Sequence, residues 1–67
     1  MRAMKVNTKK IEEERQRKGE GKCRFASNIG LSVYGYDRIL REESTSMKTI
    51  TRIASALHMN PLDIVLP

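Results

Sequence analysis

KCRFASNIGLSVYGYDRILR, residues 22–41, decides how the rest of the chain is read. At helical spacing Phe25, Ala26 and Ile29 form one short apolar stripe. Val33, Tyr36, Ile39 and Leu40 form a second, with Gly30, Leu31 and Ser32 between the two. The pattern predicts a helix, a tight turn and a helix. Ala26 has almost no side chain, so a second helix can cross close above it. Gly30 stands four residues on, where the chain must turn sharply, and the turn predicts a positive φ that glycine adopts at little cost. Ser32 is placed to cap the following helix, its hydroxyl accepting from a backbone N–H that has no partner within the helix.

Two short helices joined in this way make a helix-turn-helix candidate, a unit that lays its second helix in the major groove of DNA. In kind and spacing, Ala26, Gly30, Tyr36, Arg38 and Ile39 resemble the helix-turn-helix of the phage repressor and Cro-like family. The resemblance extends outward: KIEEERQRKG before the motif is similar to the family's first helix, and MKTITRIASALHMNPLDIVL after it to the fourth and fifth. It covers residues 9–66 and implies an all-α, compact five-helix, lambda-repressor-like DNA-binding domain. Three positions depart from the family. Glu14 stands where a buried leucine is usual, and Glu20 where an apolar residue is usual. Leu40 replaces a glutamate that often pairs with the residue corresponding to Arg15. The first helix is rotated, or its register is shifted by one, or the carboxylates meet cations such as Arg15 or Lys22; the sequence leaves all three open. Arg15, without its usual partner, is left to answer Glu14 or Glu20.

Sixty-seven residues make one domain at most, and a chain this short leaves much of its apolar surface exposed, which predicts marginal stability. The single cysteine, Cys23, excludes an intramolecular disulfide, and with the single histidine it excludes an ordinary protein-only zinc site in one copy. Cys23 is expected to be a small buried or half-buried residue. No run of 18 apolar residues occurs and no signal-peptide core is present, so a cytoplasmic protein with no membrane contact is expected.

The net charge is +5, and its distribution is uneven. Residues 1–24 hold nine of the thirteen Lys and Arg and four of the eight acids, so they carry the whole excess, whereas residues 25–67 balance. One-sided charge steers polyanions and releases their counterions. It is equally the mark of a charged helix that keeps a small domain soluble.

Residues 1–7 show no period and are expected to be an arm, either disordered or touching phosphates. Residues 8–67 form the domain. Thr8 is a candidate cap for a first helix running to Lys18, with Glu13–Arg17 and Glu14–Lys18 at the favourable i,i+4 spacing. Its apolar face is thin, with only Ile11 in the interior, and Gly19-Glu20-Gly21 breaks it. Residues 42–46 (EESTS) read as a loop ending in the candidate caps Thr45 and Ser46. Met47, Ile50, Ile53, Ala54 and Leu57 then give the cleanest amphipathic pattern of the chain and predict the central core helix. Asn60 capping and Pro61 in the first position predict a last short helix, with Leu62, Val65 and Leu66 on its apolar side. Five helices and no strands are expected.

An enzyme needs a nucleophile beside a base, or paired acids in a cleft, and the sequence offers neither. His58 falls at the end of the core helix, where a cation suits the dipole. No catalytic residue, metal, cofactor or small-molecule substrate is indicated. For DNA the candidates are concrete. With Tyr36, Ile39 and Leu40 inward, Val33, Tyr34, Asp37, Arg38 and Arg41 face outward. Arg38 has the fork for guanine O6 and N7, Tyr34 suits a base edge, and Val33 suits a thymine methyl. Asp37 either accepts from a cytosine amino group or holds Arg41 at i+4; the second is favoured, because a bare carboxylate is repelled by phosphates. Gly35 costs about 1 kcal/mol of helix propensity relative to alanine, which reflects either the close approach of a backbone or phosphate or simple drift. The resemblance places Lys22 on a phosphate, and Lys10, Arg41 and Ser44 are further phosphate candidates.

The expectation is a sequence-specific DNA-binding regulator, in particular a repressor acting as a homodimer on a two-fold symmetric site in double-stranded DNA, with residues 59–67 at the dimer surface. Two rivals stand beside it: an antitoxin-like or anti-repressor module that binds a protein, and a non-specific nucleic-acid binder driven by charge alone.

Overall fold

The computed structural model describes residues 3–67. The chain folds into four α-helices: α1 (Thr8–Lys18), α2 (Lys22–Asn28), α3 (Val33–Glu42) and α4 (Met47–Leu57). Two features differ from the sequence expectation. The fifth helix is a single 3-10 turn, Pro61–Asp63, and two very short strands, β1 (Met4–Lys5) and β2 (Ser44–Thr45), pair antiparallel. The pairing has a physical cause in Val6, whose side chain is fully buried. Its N–H donates to Glu43 O and the Asn7 N–H donates to Ile64 O, while the Leu66 N–H donates to Lys5 O. Residues 4–7 of the expected arm therefore run between residues 43–45 and 64–66. Met1 and Arg2 lie outside the described residues.

Side-chain caps set the starts of α1, α3, α4 and the 3-10 turn. Asn7, not Thr8, caps α1, its side chain accepting from the Lys10 N–H at 3.1 Å. Ser32 caps α3 through the Gly35 N–H, Ser46 rather than Thr45 caps α4 through the Thr49 N–H, and Asn60 caps the 3-10 turn through the Leu62 N–H. Thr45 is held in β2 instead. Gly30 has φ +79 as the turn requires, and a Cβ there would stand 2.8 Å from the Arg52 guanidinium. Glu43 caps the end of α3 and His58 the end of α4, both left-handed at φ 56. Glu42 belongs to α3, so the connecting loop is shorter than expected.

The core is assembled from Phe25, Ala26 and Ile29 of the α2 region, Tyr36 and Ile39 of α3, and Ile50, Ile53, Ala54 and Leu57 of α4. Val6, Ile11 and Ile64 close it. Phe25 meets Tyr36 edge-on, with ring centroids 5.3 Å apart. Met47 leaves the stripe and is 41% exposed, because it lies in the first turn of α4 beyond the rim of the core. In the last turn Ile64 is the buried residue, and Leu62 and Leu66 face outward. Cys23 is exposed, not buried: α2 turns Phe25 and Ala26 inward, which leaves Cys23 and Arg24 outside.

Glu14 and Glu20 both find cations. Glu14 pairs with Arg17 at 3.3 Å, in place of either expected i,i+4 pair, and Glu20 pairs with Lys18 at 3.5 Å and accepts from Asn28. Arg15 answers neither carboxylate. It is buried and holds Glu12 through Nε and Nη2 at 2.8 and 2.9 Å, while Nη1 donates to the Glu20 carbonyl. The Tyr36 hydroxyl donates to the same Glu12. The α1 helix is thus fastened to α3 by the Tyr36–Glu12 hydrogen bond. Arg15 hydrogen bonding holds the Glu12 carboxyl below its ordinary value, against the opposing effect of burial. Burial first, and then the Glu12 contact, push the Tyr36 phenol well above its ordinary value.

Candidate nucleic-acid interface

The surface formed by α2 and α3 gathers most of the candidate residues. Ser32 sets the start of α3, Tyr36 and Ile39 pin it to the core, and this fixes which side chains turn outward. Tyr34 is 82% exposed, and Arg38 and Arg41 are exposed one and two turns further on. At i, i+4 and i+7 these three form a single stripe on a helix whose opposite side is immobilised. Val33 is only half-buried and Leu31 and Leu40 pack against the core, so Val33 offers less surface than expected.

Two pairs of charges organise the surface. Lys22 Nζ, at the start of α2, lies 3.3 Å from Asp37 Oδ1 on α3. Asp37 therefore holds Lys22 across the two helices, and the expected Asp37–Arg41 contact does not form. The reason is geometric: α2 packs directly on α3 and brings Lys22 to the first half of that helix, whereas Arg41 projects a turn beyond. Arg38 Nε is 3.0 Å from Glu42 Oε2, an i,i+4 pair that the sequence pattern does not suggest, because it puts residue 42 in the loop. Among the described residues Arg41 has no ion-pair partner within 4.0 Å.

Ser44 is half-buried in β2, where it pairs with Lys5. It lines a hollow of about 280 Å³ together with Arg38, Glu42, Thr45 and Gly35, so the structure brings it beside Arg38 of the outward stripe. Lys10 is half-buried on α1, and no side-chain hydrogen bond or ion pair among the described residues joins it to α2 or α3. Gly35 is not demanded by internal packing: a Cβ would meet Leu31 at 3.6 Å and Ser32 at 3.7 Å, which are ordinary contacts.

The sequence missed Glu42 and the Glu12–Arg15–Tyr36 cluster. The first was recoverable from the i,i+4 spacing of Arg38 and Glu42 once the helix is carried to residue 42. The second was not, because Glu12 and Tyr36 are 24 residues apart.

No protein-family model, curated protein or solved structure matches the chain. Among the described residues no helix is long and apolar enough to cross a membrane.

Proposed function

We propose that the protein is a sequence-selective DNA-binding regulator of transcription, a repressor that engages a two-fold symmetric duplex as a homodimer. In this reading α2 and α3 act as a helix-turn-helix within a lambda-repressor-like domain, and the 3-10 turn Pro61–Asp63 stands in place of the fifth helix. The observation that carries it is the outward stripe of Tyr34, Arg38 and Arg41 on a helix held rigidly from behind by Tyr36 and Ile39. A phenol and two guanidiniums are side chains that read base edges and grip phosphates, and a fixed helix delivers them at low entropic cost. The excess of positive charge supports attraction to a polyanion.

The size of the domain supports a dimer. Its longest extent is 28 Å, less than the roughly 34 Å that separates successive major grooves on one face of B-DNA. One copy reads one groove, so a second copy is required for two half-sites. Leu62 (74% exposed) and Leu66 (40%) lie within residues 59–67 and suit an interface between copies. As a regulator of DNA the protein would work in the cytoplasm.

Selection of bound sites from random duplexes tests this directly, and an enriched two-fold symmetric sequence is the expected result. Arg38→Ala should then cost about 1–3 kcal/mol on that site and flatten preference at one base pair per half-site. Lys22→Ala should weaken all sequences alike and lower the salt slope by about one unit per subunit. Helical content by circular dichroism should be unchanged in both. No enrichment, with affinity set by salt alone, would leave charge as the explanation. Capture of a protein partner without DNA retention at low salt would instead favour an antitoxin-like or anti-repressor module.

A further inference from the structure

Two carboxylates stand on the surface that α3 would turn toward DNA, and each touches a basic side chain with a role there. The four side chains of the Lys22–Asp37 and Arg38–Glu42 pairs keep between 45% and 70% of their exposure. Exposed pairs of this kind do little for the fold. Their effect on a polyanion is larger. Residues 22–42 carry four basic side chains, Lys22, Arg24, Arg38 and Arg41, and half of that charge is answered by Asp37 and Glu42.

Arg38 is held in a particular way. Glu42 engages Nε, and among the described residues neither terminal nitrogen of the guanidinium makes a hydrogen bond. The two terminal N–H groups are the fork that matches guanine O6 and N7. Glu42 can keep its contact while the fork binds a base, so the carboxylate fixes the direction of the fork before DNA arrives. Where no such guanine is present, the repulsion between the same carboxylate and the phosphates is not offset by hydrogen bonds from the fork to a base.

Resting on the DNA-binding function proposed above, we infer that Glu42 is a positioning residue that sets sequence selectivity by aiming Arg38 and by penalising duplexes that offer it no guanine. Selectivity is a difference of affinities, and a penalty on the wrong partner widens it as effectively as a contact with the right one. Asp37 has the simpler task of restraining Lys22, whose proposed target is a phosphate and carries no sequence information.

The test compares the preferred duplex with a scrambled duplex of equal length for the wild type, Glu42→Gln and Asp37→Asn. Glu42→Gln should tighten binding to the scrambled duplex about twofold to fivefold and leave the preferred duplex unchanged or weaker, so that the ratio narrows. Asp37→Asn should strengthen both alike and steepen the salt dependence by about one unit per subunit. Arg38→Lys removes Nε and the fork, so adding Glu42→Gln to it should change the ratio no further; this double variant shows that Glu42 acts through Arg38. An unchanged or wider ratio in Glu42→Gln, or a full effect in the Arg38→Lys background, overturns the inference while the DNA-binding reading stands. A wild type with no preference between duplexes overturns both.

Discussion

α1 and α4 are both eleven-residue helices, yet they are fixed to the same core by opposite means. α4 buries Ile50, Ile53, Ala54 and Leu57, a stripe that leaves water wherever it finds other apolar groups. α1 buries Ile11 and a charged Arg15, and its attachment runs through Glu12 to the Tyr36 hydroxyl and through Arg15 to the Glu20 carbonyl. The first kind of attachment is indifferent to proton concentration, whereas the second depends on a carboxylate staying ionised. The difference matters for the proposed reading surface, because Tyr36 is the residue that holds α3 from behind.

The largest effect is expected where the attachment is purely apolar. Ile53 is fully buried in α4, and Ile53→Ala should cost about 2–5 kcal/mol through lost transfer energy and the cavity left behind. A core in a domain of this length supplies only about 3–5 kcal/mol in all, so the variant should be largely unfolded at room temperature by circular dichroism. A variant that kept a sharp melting transition close to the wild type would show that α4 is not the centre of the core.

The same contrast explains how much was legible in the sequence. An apolar stripe on one helix is written at spacings of three and four, so Ile50, Ile53, Ala54 and Leu57 could be assigned without any partner in view, as could the Ala26–Gly30–Ser32 turn. Polar attachments are written at spacings set by the tertiary fold. Glu12 needs Tyr36, and Lys22 takes Asp37 from Arg41 only because α2 lies against α3. The short strands were invisible for a related reason. Met4 and Lys5 have little strand propensity as a pair, and it is the burial of Val6, together with backbone bonds to Glu43, Ile64 and Leu66, that draws them in. Within the candidate interface, sequence pattern placed Tyr34, Arg38 and Arg41 on one face, while Glu42 was lost with the end of α3.

A smaller effect, with a distinctive pH signature, is expected for the polar attachment. Glu12→Gln keeps the shape but removes the charge that Arg15 holds, and should cost about 1–3 kcal/mol at neutral pH. Glu12 titrates below its ordinary value of 4.5 in the folded protein. Its contribution is therefore fully present above 4.5 and is lost as pH falls through the depressed folded-state value. The gap in denaturant midpoint between the wild type and Glu12→Gln should shrink as the pH is lowered to about 3. Tyr36 gives the opposite limb. Its raised phenol contributes stability below its ordinary value of 10.0, and that contribution declines as pH rises beyond it. A gap that stayed constant from neutral to acid pH would mean that the Glu12 charge does not fasten α1.

The smallest effect is expected at the first turns, where the two helices are built alike. Asn7 accepts from the Lys10 N–H at 3.1 Å and Ser46 from the Thr49 N–H at 3.4 Å, so each cap satisfies one backbone donor that the helix itself cannot. Asn7→Ala and Ser46→Ala should each cost about 1 kcal/mol, whereas Thr8→Ala should cost much less, because Thr8 lies inside α1 and caps nothing. Amide exchange should respond alike in the two helices. In α4 the buried Ile50 stands at the fourth position, and its N–H bond to the Ser46 carbonyl survives the substitution, so faster exchange should be confined to Thr49. In α1 the equally buried Ile11 stands at the same position and keeps its N–H bond to the Asn7 carbonyl, so faster exchange should be confined to Lys10. Exchange that spreads past Lys10 in Asn7→Ala, but not past Thr49 in Ser46→Ala, would mean that the thin apolar face of α1 holds its first turn less firmly than the stripe of α4 holds its own.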